Sequence, residues 1–289
     1  MKKSYILAFS AIFFWSTMAT VSKLLLGSFS GIFVLLVSSV FAFLFLLIKN
    51  IFTHNLLKLR EYSFKDIIIM VLIGLPGIFV YNLLYYIGAA IMPASQAFII
   101  NYLWPIMSII FACIILKDKL NLRKIIAILM SFCGVTLVAG TGDGGFGGAA
   151  LLGAVSIFFA AVSYGLFTVL NQKFQYDKNI SLMLVCGATS VITAVICVFT
   201  NGFVPVGVAD LLGFAWNGAL VMGVANTAWT IALESGETAK ISNLAYITPF
   251  ASLVWIAIFL KESINPFAFL GLLIIVAGIL IQLGGKKKN

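Results

Sequence analysis

The sequence predicts an all-α integral membrane protein, and three observations carry that prediction. Of 289 residues, 62% are hydrophobic and 9% charged, against about 25% charged in a soluble domain that must be wetted on every side. The apolar residues gather in runs long enough to cross a hydrocarbon layer of about 30 Å as helices. No stretch shows the ten-residue alternation of a membrane β-barrel, and an open-ended spanning element must satisfy each N–H and C=O within itself.

Ten spans are expected, near residues 4–26, 31–48, 66–88, 93–116, 122–139, 149–172, 180–200, 211–233, 238–260 and 266–284. Met1-Lys2-Lys3 and the apolar stretch behind it resemble a secretory signal, but the run is long enough to span and shows no small-residue cleavage site before Lys23, so it is read as the first helix. With both termini cytoplasmic, all but two (Lys23 and Lys261) of the 18 lysines and arginines fall on the cytoplasmic side, a bias that one missed or added helix would destroy. The net charge of +9 therefore reads as membrane topology. The basic residues sit in short clusters between apolar runs rather than interleaved with aromatics, which argues against nucleic acid. Cys113, Cys133, Cys186 and Cys197 all lie inside apolar runs without metal-type spacing and are read as small buried hydrophobes. The single His54 sits in a loop, and no Ser/His/Asp or metal constellation is available, so neither catalysis nor a cofactor is expected.

NYLWPIMSIIFACIILKDKLN, residues 101–121, returns 144 residues later as AYITPFASLVWIAIFLKESIN, residues 245–265. The same offset pairs Gly74 with Gly218, Asn82 with Asn226, Pro105 with Pro249, Lys117 with Lys261 and Gly134 with Gly278. The chain thus divides into a first five-helix repeat over 1–139, a glycine-rich linker over 140–148 and a second repeat over 149–289. Five is odd, so the second copy enters the membrane from the opposite side. Inverted repeats of this kind let two near-equivalent halves open a midplane site to each side in turn. The G-x-G-x-x-G pattern of Gly142, Gly144 and Gly147 lies between two spans instead of after a strand, and is read as linker rather than as a dinucleotide site.

Each repeat ends on a proline- and serine-bearing helix that closes in Leu-Lys, an acidic residue (Asp118 or Glu262), and a last helix with a late glycine (Gly134 or Gly278). In this the chain resembles the EamA-type transporters of the drug/metabolite transporter superfamily over almost its whole length. The resemblance implies a cavity lined by helices 1, 3, 4, 6, 8 and 9 with helices 5 and 10 at the periphery. It also implies a multi-pass carrier of the cell inner membrane that exports an amino acid. That family often has Glu where Asp118 stands, a change that keeps the charge.

Polar groups at mid-span are costly unless paired or wetted, so they are the first candidates for a substrate site. Asn82 and Asn226 are such a pair, in equivalent positions of the repeat. Asn101, Pro105 and Ser108 share a helix face beside Tyr102, and Ser242, Tyr246, Pro249 and Ser252 repeat it. Each proline frees a carbonyl one turn earlier, making Pro105 and Pro249 candidate gating hinges. Among the rings, Trp15, Tyr85, Tyr164 and Trp229 are placed to face a cavity, whereas Trp216 and Trp255 read as interfacial anchors. All nine acidic residues fall in loops or at helix ends, so transport is expected to be facilitative, with Glu234 and Lys23 the remaining titratable candidates. Nothing at mid-membrane is suited to clamp a phosphate, and Lys23 is expected to snorkel to the outer interface. The expected cargo is a small neutral or zwitterionic metabolite, an amino acid foremost; the second reading is a quaternary or aromatic cation caged by the rings. The bilayer and that small molecule are the only partners expected, for a monomer or weak dimer.

Overall fold

Hydrocarbon offers the backbone no hydrogen bonds, so the chain makes its own along its length. The computed structural model describes residues 2–140, 148–234, 241 and 243–283. Among them, eight helices are long and apolar enough to cross a membrane. These are α1 (Lys3–Leu26), α2 (Gly31–Phe52), α3 (Phe64–Ile91), α4 (Ala94–Ile115), α5 (Leu122–Ala139), α6 (Gly148–Lys173), α7 (Lys178–Phe199) and α8 (Val208–Leu233). Two shorter apolar helices follow, α9 (Ala245–Leu260) and α10 (Pro266–Gln282). The ten elements occupy the ten expected runs. Apart from Gly140 and Gly148, the expected linker lies outside the described residues, as does Ser242.

Helix ends follow the local chemistry. Ser63 and Asp66 form a capping box at the start of α3, and Asn121 caps α5 by accepting from Lys124 N. Its twin Asn265 does the same for α10, accepting from Phe267 N at 2.9 Å. The twins Lys117 and Lys261 end α4 and α9 in the same left-handed conformation, with φ of 58° and 54°. The 144-residue repeat is therefore written in the backbone as well as in the side chains.

The two halves interlock through their third helices. In membranes small residues let helices approach closely enough for packing to replace a missing hydrophobic drive. A Cβ on Gly74 of α3 would lie 2.8 Å from Val185 of α7, and one on its twin Gly218 of α8 would lie 2.1 Å from the Ser38 carbonyl oxygen of α2. Helices α5 and α10 pair with each other. A Cβ on Gly134 would stand 2.6 Å from the Gly271 carbonyl oxygen, and one on Gly271 2.7 Å from that of Gly134. The cysteines depart from expectation: Cys186 and Cys197 are buried, but Cys133 is exposed and Cys113 half-buried, because α5 and the end of α4 turn those faces outward.

At one end of the bundle the α2–α3 connection meets the α6–α7 connection through Lys58 and Asp177, 2.7 Å apart. Burial pushes the Asp177 carboxyl up, but Lys58, the Ile180 N–H at 3.1 Å and Asn55 at 3.2 Å outweigh it and hold the group below the usual carboxylate value. Such a depressed group adds stability above its unfolded pKa of about 3.9, and that stability disappears as pH falls through the lower folded value. Asp177→Asn should accordingly flatten the acid limb of the melting-temperature profile below about pH 4. Gly134→Ala should lower the melting temperature in detergent by several degrees, about 1–3 kcal/mol of overpacking. The matching Gly187→Ala, whose Cβ meets only the Phe43 ring at 3.1 Å, should cost less.

Candidate functional site

The site is built where α4 and α9 break. Helix α4 is helical over Ala94–Asn101 and again over Trp104–Ile115, with Pro105 in the first turn of the second piece. In α9 a short 3-10 turn, Ala245–Ile247, leads into Thr248–Trp255 with Pro249 in its first turn. A proline cannot donate to the carbonyl four residues back. The Ala245 carbonyl, which Pro249 cannot serve, accepts from Thr248 N within α9 and from Tyr102 Oη of α4, the latter at 2.8 Å. The mirrored bond from Tyr246 to the Asn101 carbonyl is not made, so the two halves are caught in unequal arrangements.

Around this crossing lies a cavity of about 490 Å³, lined by α1, α3, α4, α6, α7, α8 and α9. Seven of the nine expected binding residues line it: Trp15, Asn82, Asn101, Tyr102, Tyr164, Asn226 and Trp229. Trp15 and Trp229 form one aromatic wall, their rings 5.2 Å apart. Tyr81, Tyr164 and Trp104 form another, with Tyr164 standing 4.8 Å from Tyr81 and 5.2 Å from Trp104. Asn82 and Asn226 act as twins, each donating to the carbonyl four residues earlier (Ile78 and Met222) at 2.8 Å. Those carbonyls belong to π-helical stretches, Pro76–Val80 and Trp216–Ala225, whose widened turns displace the regular ladder. Among the described residues lining the cavity none is acidic and one, Lys178, is basic. A second recess of about 740 Å³ lies on the outer face of α5 and α10, between Leu129, Phe132 and Phe267. Thr136 there spends its hydroxyl on the Phe132 carbonyl, so the recess is an apolar surface groove rather than a polar site.

Several expectations are corrected by depth and by the helix breaks. Tyr85 is fully buried and stacked on Tyr81 one turn beyond the cavity, toward its closed end. It lies on the right face at the wrong height. Tyr246 is half-buried and outside the lining, since the unequal arrangement carries only its twin inward. Ser108 bonds to the Trp104 carbonyl, and neither it nor Ser252 reaches the cavity, because the break before each proline rotates the face expected from an unbroken helix. Trp216 and Trp255 are not interfacial anchors. Their indoles donate to Thr17 and Ser16 in the middle of α1, each at 2.9 Å. Tyr81 and Trp104 stand out in sequence only as two rings among many, and the contribution of α7 through Lys178 and Ser181 had no signal at all.

The cavity opens at the α6–α7 end, where Gln172 and Lys178 are exposed. The opposite end is clamped twice. The Glu262 carboxylate, just past α9, accepts from Ala94 N at 2.9 Å, from Ser95 N at 3.0 Å and from Ser95 Oγ, capping the start of α4. Lys23 does not snorkel: its ammonium donates to the carbonyls of Ala89 at 2.6 Å and Met92 at 2.9 Å, closing the end of α3. Charge-assisted bonds to backbone groups contribute about 1.5–3 kcal/mol each. Asp118, the twin of Glu262, is exposed and holds only Lys124, at 3.5 Å. Glu234 is exposed at the end of α8 and does not line the cavity.

Known proteins share this architecture. A crystal structure of a protein 20% identical in sequence, aligned over 97% of this chain and 96% of its own, superposes with a TM-score of 0.71 and shows the same fold. The uncharacterized transporter YyaM of Bacillus subtilis is 26% identical over 83% of this chain and 80% of its own. The aromatic amino acid exporter YddG of Ancylobacter novellus is 25% identical over 62% of this chain, a match spanning 63% of that exporter's length. The sequence profile of the EamA-like transporter family matches twice, over residues 2–140 and again over 151–284. With nearly its full length covered by that tandem match, the chain belongs to the EamA-like transporter family.

Proposed function

We propose that this transporter moves a small zwitterionic metabolite, an amino acid with an aromatic side chain foremost, outward across the cell inner membrane by alternating access. The observation that carries the reading is the cavity itself: two aromatic walls and four asparagines, with no acidic group among the described residues of the lining. Similarity to an aromatic amino acid exporter supports the substrate class. All ten helices cross the bilayer in this reading, as two inverted repeats over 1–139 and 149–289 with both termini cytoplasmic. The twofold family match and the shared helix ends of Lys117 and Lys261 support it.

In that orientation the open mouth at Gln172 and Lys178 faces the cytoplasm, and the Glu262 and Lys23 clamps close the far side. Substrate enters between the aromatic walls. Release outward then requires the clamps to part while the α6–α7 end closes, with α4 and α9 hinging at Pro105 and Pro249. With no acidic group among the described residues of the cavity lining, the carrier in this reading runs down its substrate gradient. Purified protein in liposomes should exchange labelled phenylalanine or tryptophan at a rate unchanged by an imposed pH gradient; acceleration by the gradient would show proton coupling. Absence of amino-acid exchange, with exchange of choline-like cations, would replace this reading by the cation one.

The clamp has its own test. In a background lacking the four native cysteines, a cysteine at Thr248 should be labelled slowly by an impermeant thiol reagent applied outside. Glu262→Ala should raise that rate several-fold. An unchanged rate would mean that Glu262 merely caps α4 and does not hold the outer side shut.

A further inference from the structure

Two oxygens in this cavity lack a partner. Asn101 Oδ1 and Thr248 Oγ1 are shut away from solvent, on residues only 4% and 6% exposed, and neither makes a hydrogen bond. Both residues line the cavity. They flank the cross-link between the broken helices: Asn101 precedes Tyr102, and Thr248 lies three residues after the Ala245 carbonyl that Tyr102 Oη bonds. Buried polar atoms are rarely left unpaired, and an unpaired one at a binding site marks where a ligand atom belongs.

The orientation of the Asn101 amide follows from its neighbour. Tyr81 Oη sits 3.0 Å from Asn101 Nδ2 and 3.9 Å from Met18 Sδ. A phenol carries one hydrogen, which goes to the sulfur, so the phenol oxygen accepts from the amide nitrogen. That turns Oδ1, which can only accept, toward the cavity. Asn82 and Asn226 are turned the same way, since each pins its nitrogen to its own helix and leaves its oxygen outward. Asn101 shares the cavity lining with the linked rings of Tyr81, Tyr164 and Trp104, a kind of wall that attracts a cation through its ring quadrupoles. Among the described residues of the lining the one lysine, Lys178, lies away at the mouth.

From this arrangement, and resting on the amino-acid reading above, we infer that Asn101 and Thr248 are the specificity-determining pair that receives the substrate's primary ammonium. Its N–H groups point to Asn101 Oδ1 and Thr248 Oγ1, and its charge lies against the tyrosine–tryptophan wall. The carboxylate is then directed back toward the mouth and Lys178. The amine is the group the protein reads at depth, and the carboxylate is read weakly near water. A quaternary ammonium, which has no N–H to offer, does not satisfy the pair.

The test uses the full-length protein in detergent with four small probes: phenylalanine, β-phenethylamine, 3-phenylpropanoic acid and 2-hydroxy-3-phenylpropanoic acid. Ligand-dependent melting shifts give the apparent Kd of each. Phenylalanine and the amine should bind, and the two amine-free acids at least about tenfold more weakly, the loss expected when a charge-assisted hydrogen bond goes unmade. Asn101→Leu and the near-isosteric Thr248→Val should each weaken the amine-bearing probes by about tenfold while leaving the amine-free acids unchanged. Equal binding of phenylalanine and its amine-free analogues, or undiminished amine binding in both variants, overturns this inference and leaves the transport reading standing. If none of the four probes shifts the wild-type melting curve, both the inference and the aromatic amino-acid reading fail together.

Discussion

The bond from Tyr102 to the Ala245 carbonyl is what the rest of the site depends on. A proline cannot donate to the carbonyl four residues back, so the Ala245 oxygen, bonded within its own helix by Thr248 N alone, keeps a lone pair for a donor from elsewhere. Here the donor comes from the equivalent helix of the other repeat, so the break that weakens α9 also ties α4 to it. The two interrupted helices consequently meet at this bond. Asparagine, threonine and tyrosine can line a polar chamber at that crossing without carrying a charge into the membrane interior.

The same crossing explains why a near-symmetric chain has an unsymmetric structure. Each half has this tyrosine, yet only Tyr102 of the two bonds the carbonyl that opposes it in the other half. Each half has an acid after its fourth helix, yet only Glu262 caps a helix start, while Asp118 rests on Lys124 in solvent. Twin residues in unlike surroundings are what the alternating access proposed above requires. The asymmetry lies in a handful of hydrogen bonds, whereas the seam of α5 with α10 is closely packed on both sides.

Much of this was legible in the sequence because bilayer constraints are one-dimensional. Apolar run length located the helices to within a few residues, and the 144-residue offset picked out Asn82 and Asn226 as a pair that the backbone treats alike. Depth and rotation were not legible. Tyr85 has the spacing of a cavity residue but sits beyond the closed end, and which end closes is a property of conformation. Ser108 and Ser252 were misplaced because a broken helix does not keep the 3.6-residue register on both sides of its break. Trp216 and Trp255 looked like headgroup anchors because nothing local reveals that Ser16 and Thr17 wait for them on α1. Lys23 appeared free for a related reason: its partners are backbone carbonyls, which carry no signature in a sequence.

The double clamp at the end away from the basic loops fixes how an idle molecule stands. Left empty, it is sealed by Glu262 and Lys23 at one end and wet at the other, so a solute reaches the polar chamber from one end alone. On the export reading proposed above, throughput would rise with internal surplus and vanish once the two concentrations agree, the behaviour of an overflow drain and not of a pump.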